Sequence, residues 1–164
     1  MATTRSILKE GTIAGLLGAA GVAAWFLAVD VIAGHPFATP ELLGRSLFSV
    51  LGKGIALSAA GNVFGYTLVH VAAFIVIGLV VSAIVAASER TPGVLVGLVL
   101  LFAVFEVGFY GFTLFLSEAS ELGQLAWYQV GAANLVAAFL MGRYLWRAHP
   151  ELADRVEGAL SARF

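Results

Sequence analysis

Cysteine is absent from the 164 residues. Disulfides, thiolate metal sites, iron–sulfur clusters and thiol redox chemistry are thereby excluded, and the compartment's redox state leaves no mark on the chain. Charge is also scarce: Asp, Glu, Lys and Arg make up 12% of the residues, against about 25% in an average soluble domain. A formal net charge of −1 offers a polyanion such as nucleic acid nothing to hold. Catalytic fingerprints are missing too. No G-x-S-x-G, P-loop or dinucleotide pattern occurs in the right setting, nor the H-x-x-E-H or E-x-x-H spacing of a helix-borne metal site. No tandem repeat of solenoid length is visible, and the length suits one domain without a large extramembrane module.

What the chain does have is grease. Hydrophobic residues make up 60% of it and the mean hydropathy is +0.97, a surface that lipid tolerates and water does not. About 20 apolar residues are needed to cross roughly 30 Å of hydrocarbon as a helix, the one open form that pairs its own backbone. Four stretches qualify: 11–33, 63–87, 92–117 and 125–146. The first is about twice as long as the apolar region of a secretory signal and is read as a span. The expected fold is therefore all-α: a membrane-spanning antiparallel four-helix bundle forming a single domain over 1–164. Short polar connections at 88–91 and 118–124 make the last three spans antiparallel neighbours. The longer link 34–62 holds an expected interfacial helix at 40–49, with Thr39 as N-cap, then a turn at Gly52-Lys53-Gly54. A second interfacial helix is expected at 150–162, with Leu152, Val156 and Leu160 on its apolar face.

Orientation follows from basic residues. Arg5, Lys9, Arg90, Arg143, Arg147, Arg155 and Arg163 fall on one side, Arg45 and Lys53 on the other. Seven against two puts both chain ends in the cytoplasm. Abundant Ala, Gly, Val and Leu with few Lys suits a bacterial inner membrane. Trp127, Tyr128, Tyr144 and Trp146 sit near the two ends of the fourth span, where aromatic belts form.

An ionised group in hydrocarbon costs roughly 2.5–3.5 kcal/mol at helix centre on insertion scales, so each polar residue in a span needs a reason. Asp30, His70, Glu106 and Asn134 contribute one group per span. The topology puts them ~5, ~11, ~16 and ~14 Å below the outer surface. All four thus share the outer half of the bilayer or its midplane, whereas the inner half holds little that is polar besides Ser82. Tyr66 lies four residues before His70, and Tyr110 four after Glu106, on the same helix faces. These six residues form a candidate outward-facing pocket. His70, Glu106 and Asp30 are the candidate metal ligands, and haem or a quinone head group are further cofactor candidates. The competing expectation is that the polar groups are bonds between helices and Asp30 a helix-end residue. His35 and His149 read as surface loop residues.

Glycine pairs at Gly11/Gly15, Gly61/Gly65 and Gly93/Gly97 have the G-x-x-x-G spacing that lets helix backbones approach closely. They serve packing within the bundle or docking of a partner subunit or second copy. Phe102, Phe105, Phe109, Phe112 and Phe115 along the third span read as lipid-facing or core filler.

The run from Trp25 to Pro40, WFLAVDVIAGHPFATP, followed by Tyr66-Thr67-Leu68-Val69-His70, resembles uncharacterised bacterial four-helix integral membrane proteins. The resemblance covers the first two spans and implies the topology, without an activity. The expected function is a non-catalytic membrane subunit that packs against a larger bacterial complex, respiratory or photosynthetic. A binding or redox module around His70 and Glu106, and a small proton-coupled transporter centred on Glu106, are the alternatives.

Overall fold

The computed structural model describes residues 4–51, 57–89, 91, 93–94, 97–100, 102–103, 106 and 127–152. Every element among them is helical: α1 (Thr4–Ile32), α2 (Ala38–Leu51), α3 (Ala59–Ser88) and α4 (Trp127–Ala148). The described residues 93–94, 97–100, 102–103 and 106 are helical as well. Most of the expected third span lies outside the described residues, as do Tyr110, the Gly52-Lys53-Gly54 turn and the tail beyond Leu152.

Proline-free and rich in Leu and Ala, α1 runs for 29 residues, about 43 Å at 1.5 Å each. It starts before the expected Gly11, since Arg5, Lys9 and Glu10 lower the hydropathy without opposing a helix. Gly34 stops it. With φ +80, Gly34 donates to Val31 O at 3.1 Å, and His35 N donates to Asp30 O at 2.9 Å. This is the left-handed glycine cap that closes a helix C-terminus.

Four residues later α2 begins, one before the expected cap. Phe37 O accepts from Glu41 N at 3.1 Å, so Thr39 lies inside the first turn and its hydroxyl does not cap. Capping comes instead from Asp30, at the end of α1. α3 starts at Ala59 because Ser58, extended at φ −63 and ψ 163, accepts from Gly61 N at 3.2 Å through its hydroxyl. Gly61 and Asn62, which read as loop, are its first turn. Gly44 of α2 lies against the Asn62 backbone, and Phe48 covers Gly65.

Two described helices, Ser6–Ile32 and Ala59–Ser88, are long and apolar enough to cross a membrane. In α3 the usual order is inverted. Gly78, Ser82, Ser88 and Asn62 are buried along with Val85, while the larger Phe64, Leu68, Val76 and Val80 are exposed. Small residues go inward because α1 comes very close there. A Cβ on Gly78 would sit 2.2 Å from Gly11 O, and one on Gly15 2.3 Å from Phe74 O. Gly11 faces Leu79, Gly15 faces Phe74 and Ile75, and Ala19 faces His70, so the two helices run antiparallel. The Gly11/Gly15 pair therefore serves packing inside the chain.

On its other side α1 meets α4, again antiparallel: Gly18 with Met141, Gly21 with Leu140, Trp25 with Gln129. Ala133, Ala137, Met141 and Leu145 form the buried stripe of α4. Two apolar clusters result. One joins Ala14, Val85, Met141, Leu145 and Leu152; the other joins Val22, Phe26, Ala133 and Ala137. Phe74 packs against both.

Candidate functional site

Asp30 is 5% exposed. Its Oδ2 accepts from Thr39 N at 2.8 Å and its Oδ1 from Thr39 Oγ1 at 2.7 Å. A carboxylate on the N-terminal N–H groups of α2 favours the helix dipole as well as filling an orphan donor. Asp30 thus closes the α1–α2 corner.

His70 is half-buried on α3, in line with Tyr66 and Phe74. Ring centroids are 5.6 Å apart to Tyr66 and 4.8 Å apart to Phe74, so the expected shared face with Tyr66 exists. Its Nε2 lies 3.3 Å from Ala19 O on α1. A carbonyl only accepts, so the hydrogen bond places the proton on Nε2. Deeper in sequence, Asn134 Nδ2 donates to Glu106 Oε1 at 2.7 Å, and this bond ties Glu106 to α4. Trp25 Nε1 donates to Gln129 Oε1 at 3.0 Å, joining α1 to α4.

Of the six expected pocket residues, the structure pairs Glu106 with Asn134 and Tyr66 with His70, and ties Asp30 to Thr39. Tyr110 lies outside the described residues. Among the described residues no hydrogen bond or ion pair joins one of these groups to the next, and no three His, Asp or Glu residues are placed to hold a metal ion. His70, Glu106 and Asp30 therefore do not form a metal-holding set there. These bonds each cross a different helix contact: α1–α2, α1–α3, α1–α4, and Glu106 to α4. Ser82 is the exception among the described side chains, a fully buried hydroxyl without a hydrogen-bond partner.

The most concentrated group of titratable residues lies at the opposite end, where none was expected. His149, read from sequence as a surface residue, is 5% exposed. Its Nδ1 is 2.7 Å from Glu89 Oε1 and its Nε2 3.0 Å from Glu10 Oε2. Each ring nitrogen thus meets one carboxylate, so the imidazole bridges the two glutamates. The three residues come from the start of α1, the end of α3 and the residue after α4, so one imidazole binds three helix ends. Burial follows from Leu152, which tucks back onto Leu145 and Met141 and carries His149 in with it. The expected topology contained a signal for this, since it puts Glu10, Glu89 and His149 at one end of the bundle.

Chemically, these contacts can hold helices together. They present no nucleophile with an adjacent base. Comparison with protein-family models, with curated proteins and with solved structures gives no match.

Proposed function

We propose that the chain is a four-span protein of the bacterial inner membrane with both ends cytoplasmic. It serves as a non-catalytic subunit packing against a larger membrane complex. The observation that carries this reading is the pairing of the polar groups. Asp30, His70, Glu106, Asn134 and Trp25 each bond to a group of this same chain, which leaves them as fasteners between helices. Such bonds contribute only about 0.6 kcal/mol each in membranes, so they select one packing more than they stabilise it.

Embedding is supported by the inverted burial of α3 and by the lengths of α1 and α3. The seven-to-two distribution of Lys and Arg supports the orientation. The Glu10–Glu89–His149 contact brings the start of α1, the end of α3 and the end of α4 to one level, as that topology requires. Docking is supported by Gly93 and Gly97, where a Cβ would meet nothing within 4 Å among the described residues, in contrast to the occupied Gly11 and Gly15. A G-x-x-x-G pair left open suits a foreign helix.

Gentle extraction from native membranes tests the proposal. Co-purification of a stoichiometric membrane partner that is lost in Gly97→Leu is expected. A stable lone monomer or homo-oligomer would oppose it. A bound chromophore or metal abolished by His70→Ala would favour the redox alternative instead.

A further inference from the structure

We propose that the outward face of the last turns of α4 binds an anionic phospholipid of the surrounding leaflet, its phosphate on Arg143 and Arg147 and an acyl chain along Gly142. The inference rests on the membrane reading above. A shallow groove there is lined by Ala138, Phe139, Gly142, Arg143, Trp146 and Arg147. Its floor is Gly142, where a Cβ would meet nothing within 4 Å, so no described side chain fills it. Phe139, 65% exposed, and Trp146, 42% exposed, form its apolar walls.

The two arginines stand four residues apart, hence on one helix face with Cβ atoms about 6 Å apart. Both are exposed, and among the described residues neither has an ion-pair partner. Guanidinium groups match phosphate oxygens bidentately. Depth agrees with this assignment. His149, in its carboxylate cluster, marks the polar boundary two residues beyond Arg147, and Arg143 is six residues before it, about 9 Å deeper. A long arginine stem reaches back from there to the phosphate level. Below lie only Ala138, Phe139 and Gly142, a surface for hydrocarbon. A zwitterionic lipid carries its own cation next to the phosphate and competes with the arginines. An anionic diester does not.

Each arginine near an anionic lipid surface contributes about fivefold in affinity, so the pair gives a preference of about 25-fold. Native mass spectrometry of the full chain in mild detergent, titrated with phosphatidylglycerol or phosphatidylcholine of identical acyl chains, reads this directly. Phosphatidylglycerol is expected to be retained at about 25-fold lower concentration. R143A/R147A should abolish the preference, and R143K/R147K should keep part of it. Gly142→Leu, which fills the groove without touching charge, should weaken both lipids. Circular dichroism establishes that each variant is folded. Equal retention of the two lipids, a preference that survives R143A/R147A, or displacement of bound lipid by millimolar inorganic phosphate would each overturn the inference. Alkaline carbonate extraction separates it from its premise. A carbonate-resistant protein without lipid preference refutes this site alone, whereas a carbonate-released protein refutes the membrane reading and this site with it.

Discussion

Replacing Gly78 with alanine drives a methyl group into the backbone of α1. The added carbon would lie 2.2 Å from Gly11 O, 2.5 Å from Gly15 N and 2.8 Å from Gly15 Cα, where ordinary contact begins at 3.4 Å. The shortfall at Gly11 O is 3.4 − 2.2 = 1.2 Å. Neither partner is a side chain that can rotate away, so the two helices must separate by about 1 Å, the overpacking response of a closely packed interior. Separation on that scale stretches the 3.3 Å contact between His70 Nε2 and Ala19 O beyond hydrogen-bonding range. Overpacking costs about 1–3 kcal/mol, and the lost interhelical bond adds about 0.6 kcal/mol. A total of about 2–4 kcal/mol is expected. Gly142→Ala on α4 is the matched control, because its Cβ meets nothing, and it should change stability by less than about 0.5 kcal/mol. Reversible unfolding in mixed micelles with increasing dodecyl sulfate, followed by circular dichroism, measures both. If Gly78→Ala and Gly142→Ala share one midpoint, the argument that backbone contact at Gly78 holds α1 to α3 is wrong.

Three further perturbations follow from the same geometry. His149→Ala removes the imidazole that contacts both Glu10 and Glu89; it should lower stability in the same assay by about 1–3 kcal/mol, with Glu10→Gln/Glu89→Gln in the His149→Ala background recovering part of the loss. Asp30→Ala and Thr39→Val should each destabilise the α1–α2 corner, and their double-mutant cycle should show a coupling of about 1 kcal/mol; additive effects would deny the cap. Phe37 holds a left-handed φ of 70 with its ring exposed, so Phe37→Gly should raise stability by about 1 kcal/mol by removing the Cβ clash, and an unchanged midpoint would show that the ring contributes an equal amount elsewhere.

Much of the architecture was readable in advance, for identifiable reasons. Helices α1 and α3 announced themselves through long, mostly uncharged apolar runs, and the link between them through Pro40 and the amphipathic 40–49 stretch. Boundaries shifted by a few residues where polar caps extended the helices, as at Ser58 and Gly61. Helix α3 is apolar on every side, so no periodicity could reveal which face packs; only its small residues, Gly78 and Ser82, hinted at it. The pairing of Glu106 with Asn134 agrees with their similar calculated depths. The roles of Asp30 and His149 were hidden, because a carboxylate capping a different helix and an imidazole shared by three helix ends are contacts between distant positions, and local sequence patterns carry no record of them.

Hydropathy by itself picks out the long apolar helices α1 and α3, long and apolar enough to cross a membrane; composition likewise rules out thiol chemistry. Which polar group answers which is settled only by packing. In an interior where every helix is greasy, the hydrophobic effect does not rank one helix pairing above another. The choice falls to a few close backbone approaches, such as Gly78 on Gly11, and to hydrogen bonds whose partners lie 51 residues apart, as for His70 and Ala19, or 104, as for Trp25 and Gln129.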